Sequence, residues 1–306
     1  MFMLKSKQQG FTLLELLVVI TLLAVLAVGA LVAYEDVGDN AEAAAAANAN
    51  VTLDSAIRTY RAVEKKYPNQ WDVLATTAGS QISTLPSPAS AIFGALSLAD
   101  ATVYAGVSNA LLAAGIDELQ YMTAVLPAGV NPNRAHNESV NPTAVERDVD
   151  TQADVPFISI VPSGGDAGTC VVGGTAVSLN TVFNGSTLAA SGTLGANAIQ
   201  NRFNDSMEAD ECHLVVALGF GSDAAASTTS SKVAISQAPT YTRTDAANPD
   251  NSINPARHYA RYIGLFQVAT SNEDGDATEQ FLDKARLVAV ITPDGRVIDD
   301  AIAAAQ

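Results

Sequence analysis

Glu15 is the single charged residue in a run of 23, FTLLELLVVITLLAVLAVGALVA, from Phe11 to Ala33. A carboxylate in such a run costs about 2.5 to 3.5 kcal/mol to insert into a bilayer, so by default it marks a working group. Two other constellations could do chemistry. Cys170 and Cys212 are too few for a disulfide scaffold or a cysteine zinc site but sufficient for one bridge, and two buried free thiols are the alternative. Closing a loop of about 43 residues would contribute roughly 4 kcal/mol on a chain-entropy view. The stretch SNEDGDATEQFLDK, 271 to 284, gathers Glu273, Asp274, Asp276, Glu279 and Asp283 around Gly275. Hard oxygen ligands at a glycine turn suit calcium, and a solvated acidic loop is the rival reading. The EF-hand spacing fails, because the position for its closing glutamate is Phe281.

Enzyme signatures are missing. His136, His213 and His258 have no H-E-x-x-H spacing, no G-x-S-x-G occurs, and GFGSDA at 219 to 224 lacks the third glycine of a dinucleotide loop. With 16 Lys and Arg against 32 Asp and Glu the net charge is -16, which disfavours general nucleic-acid binding. The 48% hydrophobic content is enough for a core and excludes a wholly disordered chain.

The elements that must position these residues follow from patterning. Phe11 to Ala33 gives roughly 35 Å of helix against a hydrocarbon core of about 30 Å. The preceding MFMLKSKQQG carries Lys5 and Lys7 and no acid, so the positive-inside rule leaves the N-terminus in the cytoplasm. No proline interrupts the chain before Pro68, and Leu53, Ile57, Tyr60 and Glu64 share a face, so Phe11 to Lys66 reads as one helix with Pro68 as its stop. A second helix is expected at 107–127, a loop at 128–153, and then strands at DVPFISIVP, TCVVGGTAVSL, ECHLVVALGF, YIGLFQVAT and RLVAVIT. PDGR at 293–296 reads as a tight turn. Helix first and strands later argue for an α+β fold, in which a long N-terminal helix, membrane-spanning in its first half, packs against a C-terminal antiparallel sheet.

The string from Lys5 to Gly10 followed by FTLLELLVVI resembles the N-terminal signature of type IV pilins and of type II secretion pseudopilins. The resemblance covers about a tenth of the chain. It implies that a prepilin peptidase cuts between Gly10 and Phe11 on the cytoplasmic side and methylates Phe11. Losing Lys5 and Lys7 would move the net charge from -16 to -18. It also implies that the ammonium of Phe11 on one subunit meets Glu15 of a neighbour and fixes the packing register. The expected division is a leader at 1–10, a helix at 11–67 with a span at 11–33, and a head at 68–306.

The helix end at Tyr67 and Pro68 and the acidic stretch late in the chain look like major pseudopilins. That likeness implies calcium at Asp274, Asp276 and Glu279, an inner-membrane assembly platform and outer-membrane secretin as partners, and secretion driven by a periplasmic filament. A type IV pilus subunit or minor pilin used in adhesion, motility or DNA uptake is the alternative, and a membrane-anchored binding protein that never assembles is the second. In each reading the chain is no enzyme and begins as a single-pass inner-membrane protein.

Overall fold

The computed structural model of the protein describes residues 12–122, 125–141, 144–161, 170–172, 175–177, 213–245, 248–270 and 280–297. At 32–37, 39–40, 91, 170–172, 175–177 and 280 the backbone alone is described.

Helix α1 spans Leu13–Glu64, 52 residues, or about 78 Å. Alanine-rich sequence without proline sustains it. Its end differs from the expected stop at Pro68. Lys65 takes a left-handed conformation, φ 63°, and its N–H bonds the Arg61 carbonyl at 2.9 Å. The helix is closed by this left-handed cap three residues before the proline, which leaves Arg61 as the cation of the last turn.

Helix α2, Ala101–Ala113, starts where the Asp100 carboxylate accepts from the N–H groups of Thr102 and Val103, at 2.9 and 3.0 Å. It ends earlier than the expected 127. Gly115 has φ 84°, and a Cβ there would lie 2.4 Å from the Cβ of Lys66, so the chain turns sharply under the end of α1. Ile116, Leu119 and Met122 are buried as the periodicity suggested, but as part of an extended segment rather than a helix face.

Ten strands are described: β1 Trp71–Val73, β2 Gly94–Ser97, β3 Glu118–Tyr121, β4 Val145–Asp148, β5 Phe157–Val161, β6 Cys170–Val172, β7 Thr175–Val177, β8 His213–Gly219, β9 Ile263–Thr270 and β10 Gln280–Ile291. Eight form one sheet with the path β10-β9-β8-β1-β3-β4. A branch leaves it at β8, which pairs β1 through Leu218 and Gly219 but β5 through Val215 and Val216, and β5 in turn pairs β2. Every pairing is antiparallel except β1 with β3. Strands β6 and β7 pair separately. The α+β class stands. The loop expected at 128–153 is corrected, because Val145–Asp148 pairs antiparallel with β3.

Alternation along β8 explains why all seven of its residues are buried. Leu214, Val216 and Leu218 enter one core with Leu53 and Ile57 of α1 and Val107 and Leu111 of α2. Val215 and Ala217 enter a second core with Leu74, Ile82 and Phe93. Successive side chains of a strand point to opposite faces, so a strand covered on both sides reads as an unbroken apolar run. The first core is centred on Trp71, fully buried, which meets Phe220 and Phe266 edge to face at 5.2 and 5.0 Å and donates Nε1 to the Pro68 carbonyl at 2.6 Å.

Candidate assembly and processing site

The first turn of α1 is built by two residues. Thr12 is extended, φ -71° and ψ 151°, and its hydroxyl accepts from the Glu15 N–H at 3.2 Å. The Glu15 carboxylate reaches back and accepts, on Oε2, the Thr12 N–H at 2.9 Å and the Thr12 hydroxyl at 3.0 Å. This is a reciprocal capping box, and it fixes where the carboxylate points. A carboxylate has about four acceptor sites, so bonds on Oε2 alone leave Oε1 for a cation brought by another molecule.

Leu13–Leu31 is apolar enough to cross a membrane, with a mean hydropathy of 2.7 over 19 residues and none of it buried. Its length is about 28 Å, close to the hydrocarbon thickness. Even Val18, the least exposed large apolar side chain in the span, is 45% exposed. Such a surface needs lipid or other helices around it.

The second half of the helix is fastened to the head. Glu42 accepts from the Thr244 N–H at 3.1 Å, and the Ala46 carbonyl accepts from the Tyr262 hydroxyl at 3.1 Å. The hydroxyl of Tyr67, just past the helix, accepts from the Leu287 N–H on β10 at 2.9 Å. A shift of the helix would therefore carry the sheet with it.

Inside the head lies one constellation that sequence spacing did not reveal. Asp72 on β1 is fully buried and accepts from the Tyr259 hydroxyl at 2.7 Å. His136 Nδ1 stands 3.7 Å from the same oxygen, and its Nε2 is 3.2 Å from the Val73 carbonyl. Burial pushes the Asp72 carboxyl above its ordinary range, opposed by His136 and by the Tyr259 hydrogen bond. A Cβ at Gly221 would lie 2.3 Å from Asp72, and one at Gly219 would lie 1.8 Å from the Tyr259 hydroxyl. The group is walled in on all these sides, so it ties β1 to distant loops and offers no face to a substrate. These residues are 64 and 123 positions apart, beyond any local pattern.

Of the residues singled out by sequence, Glu15 is placed as described. Gly10 and Phe11 lie outside the described residues, as do Cys212, Asp274, Asp276 and Glu279. Cys170 is described by its backbone alone, at the start of β6. Residues 271–279 of the acidic stretch separate β9 from β10, and 280–284 belong to β10 itself. His213 Nδ1 lies 3.1 Å from both Gln267 Nε2 and Thr270 Oγ1, and burial lowers its pKa. Among the described residues no group of three or more His, Cys, Asp or Glu is placed to hold a metal ion. The residue missed at the N-terminus is Thr12, which the T-x-x-E spacing of a capping box could have found.

No curated protein and no solved structure is significantly similar to the chain. A family model described as the prokaryotic N-terminal methylation motif matches residues 5–31, which contain the Gly10–Phe11 junction, the Thr12–Glu15 cap and the apolar span. This protein therefore carries a prokaryotic N-terminal methylation motif, consistent with the type IV pilin-like family.

Proposed function

We propose that the chain is a prepilin-processed filament subunit of the type II secretion pseudopilin kind. Its motif supports cleavage by a prepilin peptidase and assembly with pilin subunits. The observation that carries the reading is the unburied Leu13–Leu31 span, fixed at its start by a carboxylate with an open oxygen and continued by the same helix to Ala46, where it is bonded to a folded head. In this reading the helix first anchors the protein in the inner membrane with its N-terminus cytoplasmic. Cleavage between Gly10 and Phe11 then creates an ammonium that pairs with Glu15 of a neighbour, and the helices stack into a filament clad by the heads. Pilin-like proteins are structural subunits, and the role here is mechanical rather than enzymatic. The assembly platform and the secretin belong to this proposal, as do calcium at Asp274, Asp276 and Glu279 and the Cys170–Cys212 bridge.

A second reading, a type IV pilus subunit, is favoured by the large head, with an eight-stranded sheet and two cores. Mass spectrometry of the membrane-extracted protein tests the processing step common to both. The expected N-terminus is methylated Phe11, and Gly10→Leu should retain Lys5 and Lys7. A chain that still begins at Met1 in cells with an active prepilin peptidase would overturn the assignment. Loss of secretion, as against loss of surface fibres, on deletion of this protein separates the two kinds of filament.

A further inference from the structure

An open pocket of about 430 Å³ lies between the end of α1 and strand β10, lined by Arg58, Arg61, Ala62, Lys65 and Lys284. Four cations thus converge in a chain where acids outnumber bases 32 to 16. The carboxylate bonded to them is Asp54, 2.8 Å from Arg58 Nε. The other contacts orient the charged heads without neutralising them: Lys284 Nζ donates to the Lys65 carbonyl at 2.7 Å, Arg58 Nη2 to the Val288 carbonyl at 3.4 Å, and the Arg61 guanidinium sits 4.8 Å from the ring centre of Tyr67. A helix C-terminus attracts cations through its dipole, which accounts for Arg61 and Lys65. Lys284 comes from another element, 219 positions along the chain, and brings a further like charge to the same place.

We infer that this seam receives carboxylates of a second copy of the chain, offered by the acidic edge that β3 and β4 form at the other end of the sheet. The inference rests on the assembly reading above and names where the heads touch. Size argues against a lone inorganic ion, because the pocket falls within the range of about 300–1,000 Å³ that takes organic groups. Position argues against lipid headgroups. Arg58 lies 27 residues beyond Leu31 on one continuous helix, about 40 Å past the apolar span.

The acidic edge has the matching chemistry. Glu118 and Glu146 both accept from the single amide nitrogen Gln70 Nε2, at 3.1 and 2.8 Å, with Gln70 held at φ 60°. Asp148 faces Glu118 in register, and both Glu146 and Asp148 are exposed. Arg147, the cation on β4, is committed to Asp154 at 2.6 Å. Strands β10 and β4 close the two ends of the sheet path, so one copy can present its acidic edge to the basic seam of the next. Contacts of that heterologous type do not close into a two-fold dimer, and where the rotation between copies does not close a ring they propagate into filaments.

The test uses the full-length processed chain, assembled from an equal mixture of ¹⁴N and ¹⁵N protein and treated with a zero-length carbodiimide crosslinker. Lys65 or Lys284 should be joined to Glu118, Glu146 or Asp148 in peptides that carry both isotopes. A Lys65→Glu, Lys284→Glu chain should lose these links at least tenfold, and mixing it with a Glu146→Lys, Asp148→Lys chain should restore them. Same-isotope links alone would overturn the inference, as would failure of the reversed pair to restore contact while both variants keep the wild-type melting temperature. Cysteine crosslinks within Leu13–Leu31 separate the two levels. If they form without the lysine–acid links, assembly stands and the seam contact is wrong. If they are missing from the wild type as well, the assembly reading fails and this inference with it. Shielding of the two lysines by an oligonucleotide, with no effect from adding more copies, would assign the pocket to phosphates and overturn the inference.

Discussion

The two halves of α1 share one backbone and live in opposite environments. From Leu13 to Leu31 the helix is apolar on every face and buried on none. From Ala46 to Tyr60 the buried apolar residues gather on one side, where Ala46, Leu53 and Ile57 enter the core and Tyr60 is also buried, while Val51, Thr52, Ser55 and Thr59 stay outside. A helix apolar all round needs an apolar solvent or a set of like helices, whereas a one-sided helix needs a single partner surface. The lower half finds that surface within its own chain. The upper half does not, so its partners must come from outside, and this division is what a membrane-anchored filament subunit requires.

If that contrast is right, damage to the upper half should abolish assembly and leave folding intact. Glu15→Ala should still insert, since it removes an insertion cost, and should still be cleaved at Gly10–Phe11. Filaments should be lost or should lose their register, because the Phe11 ammonium is left without its anion. Electron microscopy of sheared filaments checks this, and wild-type yield with unchanged helical symmetry would remove the electrostatic role of Glu15.

Damage beneath the lower half should do the reverse. Trp71→Ala deletes the ring that meets Phe220 and Phe266, at a cost of about 3–5 kcal/mol. The detergent-solubilised head should melt much lower while the span still inserts, and an unchanged melting temperature would show that Trp71 is not the keystone of that core.

The acidic stretch between β9 and β10 sharpens the contrast at the head. If Asp274, Asp276 and Glu279 hold calcium, a hundredfold excess over Kd should stabilise the folded chain by about 2.7 kcal/mol. An Asp274→Ala, Asp276→Ala double variant should lose that gain. An equal effect from magnesium or from matched monovalent salt would reduce it to screening.

The smallest effect concerns Asp72. Burial raises its folded-state pKa above the unfolded value, so the folded state holds the proton more tightly. Stability should be highest below the unfolded pKa and fall as pH rises through the folded one. Asp72→Asn keeps an acceptor for the Tyr259 hydroxyl and should flatten that slope, giving a chain as stable as wild type or more so at neutral pH. Urea titrations from pH 4 to 8 measure it, and an unaltered slope would assign the dependence to another group.

Legibility followed the range of the signal. Strands β5, β8 and β9 and the core of β10 were readable because apolar runs bounded by turn residues are local, and the PDGR turn was readable because Gly295 alone there can take φ 78°. Strands β1 and β2 were missed because three or four residues carry no period. Strand β4 was missed because V-E-R-D has one apolar residue, and what makes it a strand is its partner β3. The α2 end was misread because apolar residues keep a helical spacing past Ala113, at Ile116, Leu119 and Met122, while Gly115 breaks the backbone.

The sequence by itself determined the membrane-length helix, the carboxylate inside it, the cleavage junction expected before it and the α+β class. Each of these rests on neighbours within a turn or two, which hydrophobicity and spacing encode directly. Tertiary structure alone decided the branched sheet, the two-sided burial of β8, the Asp72–Tyr259–His136 tie and the convergence of Lys284 on Lys65. Those depend on which distant segments meet, and that choice is made by the total area buried across the whole chain rather than by any window of it.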